Sequence, residues 1–348
     1  MKKISYLLIL AFALFSCDST GEEPQTPEEP VDSFDRGAML VSYADQFIIP
    51  GYTQLNADLS ALKSSKDQYL AGSSSLEDLQ EAWKTAYMSW QKVEVFNIGP
   101  AESELMTFQM NVYPTNVTDI ESNIASGSYD LTAVNNNDAV GFPAVEYLLF
   151  ESETLSEDAT RQYLSDLVDR MSDLTSQVLT EWTSSYRETF VNSTGNTASS
   201  ALNLFVNDLI FYTEKGFRAN KVGIPAGIFS GGPLPDRVES LYAQTYSKDF
   251  SLEAINTIQN LFSSGNNSLE DYLIYLGNQE LATDITEQMN DAKSALNGLD
   301  NSFYDQVVND NTQMLRTYDE IQKIVVLLKV DLLQELNIAV DYVDADGD

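Results

Sequence analysis

The sequence predicts an all-α protein. Apolar residues recur at three- and four-residue spacing through most of the chain after position 34. No stretch sustains the two-residue alternation of a strand, and Gly/Pro clusters interrupt the helical runs in a few places.

The chain opens Met1-Lys2-Lys3, continues with an apolar run from Ile4 to Phe15, and reaches Ser16-Cys17. That run is too short to span a bilayer, and its basic flank marks a secretory signal. Leu14-Phe15-Ser16-Cys17 reads as a lipobox, so residues 1–16 are expected to be a lipoprotein signal peptide and Cys17 the lipidation site. The expected location is the cell envelope, on the periplasmic or surface face of the outer membrane, with the membrane itself as first partner through the lipid. Residues 17–33 carry Glu22-Glu23-Pro24 and Glu28-Glu29-Pro30 with almost nothing apolar, and read as a lipidated acidic tether.

Folding is expected from residue 34. Ser75-Leu76-Glu77-Asp78 is a capping pattern, and Leu79, Trp83, Ala86, Trp90 and Val93 follow at helical spacing. Ser156 opens another long helix, with Leu164, Leu167, Met171, Leu174, Val178 and Trp182 along one side. Leu202, Phe205, Leu209 and Tyr212 outline a third. Further helices are expected near 236–244, 252–262, 269–276, 285–296 and 314–336. Residues 97–118 hold Gly99-Pro100 and Tyr113-Pro114, so the chain turns twice there. Residues 221–236 carry four glycines and three prolines and divide the chain into an N-terminal helical bundle, 34–232, and a C-terminal one, 233–348. A faint repeat accompanies that division: Gly72-x-x-Ser75-Leu76-Glu77-Asp78 recurs as Gly265-x-x-Ser268-Leu269-Glu270-Asp271.

Composition excludes several chemistries. The chain has no histidine, and Cys17 is its sole cysteine. With that thiol lipidated there is no disulfide, thiolate nucleophile, Ser-His-Asp triad or H-E-x-x-H zinc site. A bound metal must be held by oxygen, which suits hard cations such as calcium, magnesium or ferric iron. The formal charge is −34, and loss of Lys2 and Lys3 with the signal leaves 17 basic against 53 acidic residues. That field opposes nucleic acid and concentrates cations.

The stretch Gly141-Phe142-Pro143-Ala144-Val145-Glu146-Tyr147-Leu148-Leu149-Phe150 stands out. Pro143 suits the first turn of a helix, which puts Glu146 inside a segment otherwise fit for a core. An ionisable group there must find a partner or shift its pKa, which makes it a candidate site residue.

The stretch resembles the G-x-H-x-x-E signature of the imelysin family, with Gly141, Glu146 and Leu148-Leu149 matching and Pro143 in place of the histidine. Other pieces match in order: 83–100, Tyr113-Pro114, 211–227 and the ending Asp346-Gly347-Asp348. The resemblance implies two related helical bundles packed side by side, with the signature near their interface. It also brings Trp90, Glu94 and Glu102 toward Glu146, where Glu146 and Glu94 would be metal ligands. Arg218 is expected either as part of this ligand site or as a buried partner of Glu146, and Lys215 and Arg218 are expected to end a helix. The plainer alternative keeps Trp90 in the core and both glutamates on the surface.

By this resemblance the chain is an envelope lipoprotein that binds iron, another hard cation or a haem-like ligand, with an iron-uptake receptor or transporter as partner. A second reading is a non-catalytic interaction module that presents an acidic surface. A third is a peptidase, since the family is classed with metallopeptidases, although neither imidazole nor free thiol is on offer here.

Overall fold

The computed structural model describes residues 33–341. The signal peptide, Cys17, the tether to residue 32 and the acidic tail beyond Asp341 lie outside the described residues. Among the described residues, those from Asp35 to Asp341 form one compact unit. It is all-α, with no strand among the described residues.

Helix α1, Arg36–Ser42, runs through a π-helical turn, Tyr43–Ile48, into α2, Ile49–Leu70. Helix α3, Leu76–Trp90, packs along α2, and so does α4, Asp158–Glu181. The expected stripes explain this packing. Leu79, Trp83, Ala86 and Trp90 on α3, and Leu164, Leu167, Met171, Leu174 and Val178 on α4, are all buried. A second set consists of α5, Ser247–Ser263; α6, Gln279–Asn297; and α7, Phe303–Val326. The π-helical segment Tyr212–Gly223 precedes the Gly/Pro-rich loop in sequence but packs on α7 and α5.

The repeated G-x-x-S-L-E-D motif has a shared local cause. Ser75 and Ser268 both accept from the N3 amide, of Asp78 and Asp271, and each aspartate returns a bond to the cap backbone. Gly72 and Gly265 both take positive φ, +70° and +95°, where L side chains strain. The helices that follow differ, with 15 residues after Ser75 and 7 after Ser268, so the similarity is one of capping chemistry.

Two expectations are corrected. Residues 236–244 do not form a helix. Pro235–Arg237 is a single 3-10 turn, and Ser240 and Gln244 take left-handed φ values of 61° and 58°. Nor does the helix end at Lys215 and Arg218. It continues with the wider i→i+5 winding to Gly223, then into a short turn, Ile224–Ala226. Among the described residues no helix is long and apolar enough to cross a membrane.

An aromatic cluster joins the two sets of helices. Trp83 of α3 packs edge-on against Phe250 of α5, while Tyr87 stacks on Phe142 at 4.5 Å and lies 4.4 Å from Phe250. Aromatic pairs add roughly 0.5–1.5 kcal/mol beyond their buried area, which fixes α3 against α5.

Replacing either cap, Ser75→Ala or Ser268→Ala, is expected to lower stability by about 1 kcal/mol, read as a reduced urea midpoint at unchanged slope.

Candidate functional site

The site begins at α8, the helix Gly141–Phe150, whose residues 141–149 are all buried. Its first turn presses so closely on the preceding chain that a Cβ on Gly141 would lie 2.3 Å from the Met110 carbonyl oxygen, and φ there is +76°. Only glycine fits. Pro143 follows in the first turn, where an absent N–H costs nothing. Trp83 anchors the helix by donating its indole N–H to the Phe142 carbonyl at 3.1 Å.

Glu146 is 2% exposed. Its Oε1 accepts the backbone N–H groups of Tyr242 (2.9 Å) and Ala243 (2.8 Å). Burial pushes its pKa up to about 8; the two amides pull against this, and the Glu239 carboxylate adds to it. Glu146 thus fastens the loop after the 3-10 turn onto α8.

A second buried carboxylate, Glu239, lies in that same loop. Its Oε1 accepts from Tyr87 Oη, Gln91 Nε2 and Asn111 Nδ2, each at 3.0 Å. Its Oε2 meets Lys221 Nζ at 2.5 Å, and Lys221 also donates to Gln91 Oε1 at 2.7 Å. Glu94, just beyond the end of α3, completes the network. Asn111 Nδ2 donates to Glu94 at 2.8 Å, Tyr212 Oη at 3.2 Å, and Lys221 Nζ stands 3.8 Å away. Burial raises the Glu94 pKa and Lys221 opposes the shift, while Glu239 reinforces it. The phenols of Tyr87, Tyr113 and Tyr212 are held well above their ordinary pKa by burial and by the neighbouring carboxylates. They are therefore hydroxyls, able to donate to carboxylates.

The residues singled out in sequence are distributed unevenly. Gly141, Pro143 and Glu146 share the start of α8, and Glu94 sits in the adjoining network. Trp90 is 1% exposed, and its indole N–H faces Glu94, where it helps to offset the rise in that carboxyl's pKa. Glu94 is buried, against the plainer expectation of a surface glutamate, whereas Glu102 is exposed in a different cleft beside Asp208 and Tyr186. Arg218 does not pair with Glu146. It lies 3.7 Å from Glu214, donates to Gln322 and faces the Tyr318 ring. Glu214, in turn, meets Lys215 at 2.7 Å and Lys329 at 2.9 Å.

Sequence reasoning missed Lys221, Glu239, Tyr87 and Asn111. None belongs to a spaced motif, and Glu239 falls in the segment taken for a helix. No group of three or more His, Cys, Asp or Glu side chains converges on a metal-sized site among the described residues. The donor set is therefore two carboxylates, Glu94 and Glu239, with neutral oxygens around them. The Lys221 ammonium already holds the cation position between the two.

The imelysin (peptidase M75) family model matches residues 48–330. Iron-regulated protein A of Synechococcus elongatus is 27% identical over 225 residues, which cover 60% of this chain and 60% of that protein's length. An imelysin-like protein from Psychrobacter arcticum has the same fold, with a TM-score of 0.71 at 17% identity over 88% of this chain and 97% of that one. So does a structure described as an iron-regulated protein A precursor from Parabacteroides distasonis, with a TM-score of 0.74 at 18% identity over 86% and 95%.

The raised pKa of Glu146 has a signed consequence. Between the ordinary value of 4.5 and about 8 the folded protein keeps a proton that the unfolded chain releases. Stability contributed at this site therefore falls as pH rises through that window, by at most about 1.4 kcal/mol per pH unit. Glu146→Gln keeps an oxygen acceptor and removes the titration. The difference in urea stability between wild type and variant, at fixed ionic strength, should slope across pH 4.5–8. A flat difference would assign the titration elsewhere.

Proposed function

Because this chain belongs to the imelysin family, we propose that it is a cell-envelope binding protein of an iron-linked system, with its site in the buried network between the two sets of helices. The observation that carries this is the pair of buried carboxylates, Glu94 and Glu239, surrounded by Tyr87, Tyr212 and Asn111 and bridged by one ammonium, Lys221. Oxygen donors of this kind suit a hard cation. The iron link rests on the family and on the relative named an iron-regulated protein A. The lipid anchor at Cys17, and an uptake receptor or transporter as partner, belong to the same proposal.

In this reading iron is cargo, and Lys221 stands in for it in the empty protein. Loading moves the ammonium aside and gives Glu94 and Glu239 a stronger counter-charge. Glu146 positions the loop that carries Glu239 through its two amide bonds and does not itself contact the cargo. A peptidase reading needs a base free to take a proton from water. Glu239 is engaged by four donors, and Glu146 by two.

A second reading draws on the same closure. Every oxygen of Glu239 has a partner and Lys221 fills the gap, so the network can serve purely as a structural knot beneath an acidic interaction surface.

Elemental analysis after ferric loading and desalting separates the two. Cargo binding predicts about one iron per wild-type chain, and at least a roughly tenfold loss in Glu94→Gln, which gives up a charge-assisted contact. Lys221→Met should be destabilised by about 3–5 kcal/mol without metal, since it strands buried carboxylates, and should recover thermal stability when iron is added. Absence of bound iron in wild type, or equal iron in Glu94→Gln, would leave the structural knot standing.

A further inference from the structure

We propose that the cleft on the outer side of this network binds a small organic anion, a carboxylate attached to an apolar body. The inference goes beyond the iron reading and does not depend on it. The cleft encloses about 260 Å³, and Asn111 and Tyr113 form its inner wall. Asn111 is the residue that donates inward to Glu94 and Glu239, so the cleft is the solvent side of the buried site.

Three elements build it: the turn Met106–Met110, the end of the π-helical segment, and the 3-10 turn Pro235–Arg237. Phe108, Pro114, Ile224 and the Tyr113 ring make the apolar part. The polar groups facing it from outside the network are donors. Arg237 is exposed, and its guanidinium makes no hydrogen bond or ion pair with any described residue. Asn220 is likewise exposed with its amide unengaged, and the Tyr113 hydroxyl has no hydrogen-bond partner among the described residues.

Charge makes the cleft distinctive. The chain carries −34, and four larger clefts on the described surface each include at least one carboxylate. Arg237 lines this cleft and no carboxylate does; Glu94 and Glu239 lie behind Asn111 and are met there by Lys221. A guanidinium is a planar fork matched to a carboxylate, and left unpaired on a strongly acidic protein it marks a place where an anion is accepted against the general field. The apolar wall selects for a ligand with a hydrocarbon or aromatic body beside that anion, and Phe108, 55% exposed, gives such a body a surface to cover. At about 260 Å³ the cleft is just below the usual range of drug-sized ligand sites, which suits a small occupant.

The test compares two probes of the same shape and opposite charge, benzoate and benzylamine, titrated calorimetrically into the full chain. Benzoate should bind and benzylamine should not. Arg237→Gln should weaken benzoate by about tenfold or more, the loss of one charge-assisted contact. Phe108→Ala should weaken it by a smaller factor. Both side chains are exposed, so neither change threatens folding. Equal binding of the two amphiphiles, no binding of either, or an Arg237→Gln variant as tight as wild type would overturn the proposal. Benzoate carries no iron, so iron loading can fail while this result stands, and the reverse.

Discussion

The structure depends on how it keeps three carboxylates out of water. Glu94, Glu146 and Glu239 are each at most 9% exposed, and Lys221 is the cation among them. Removing a carboxylate from water costs several kcal/mol even after relaxation, so each must be met by donors with good geometry. The donors come from separate parts of the chain. Tyr87 belongs to α3, Asn111 to the turn beyond it, Lys221 to the π-helical segment, and the amides of Tyr242 and Ala243 to the loop. Glu94 and Glu239 each draw donors from several elements, while Glu146 on its helix takes both of its amides from one loop. The full set of bonds exists only when the pieces are docked in one arrangement, so the network specifies register more than it adds stability.

That dependence explains why the helices were legible in sequence and the site was only half so. The stripes on α3 and α4 follow the 3.6-residue period, and burial matches them residue by residue. Gly141, Pro143 and Glu146 were legible for a similar reason: an acidic residue in an apolar helix start is locally anomalous. Glu239 has no such contrast. It sits in Asp236-Arg237-Val238-Glu239-Ser240, whose composition suits an exposed helix. What defeats the helix is tertiary. The amides of Tyr242 and Ala243 go to Glu146, and left-handed residues at Ser240 and Gln244 turn the chain toward it.

Lys221 was hidden by winding. In an α-helix, residues 214, 218 and 221 share one face, which would group Lys221 with Glu214 and Arg218. The i→i+5 turn rotates each successive side chain by less, so Lys221 leaves that face. Glu214 then collects Lys215, Arg218 and Lys329 on one side, while Lys221 reaches Glu239 on the other. Lys215 and Arg218 were expected to end the helix here. They lie in the wider-wound segment that separates two charge systems which the sequence alone places together.

The exposed and the buried carboxyl groups respond to pH with opposite signs. Exposed pairs such as Asp45 with Arg187, or Glu320 with Lys323, hold their carboxyls below the usual range and so favour the folded state as pH rises. Those pairs are screened by solvent and contribute little. The buried groups carry the larger effect with the opposite sign. Glu94 and Glu146 are raised by desolvation, and ionising either one puts a second or third negative charge beside Glu239. Self-repulsion on a chain of formal charge −34 grows over the same pH range. A second cation entering between Glu94 and Glu239 would relieve both effects at once. That charge balance is the physical basis of the proposed cation cargo, whose place Lys221 occupies in the structure.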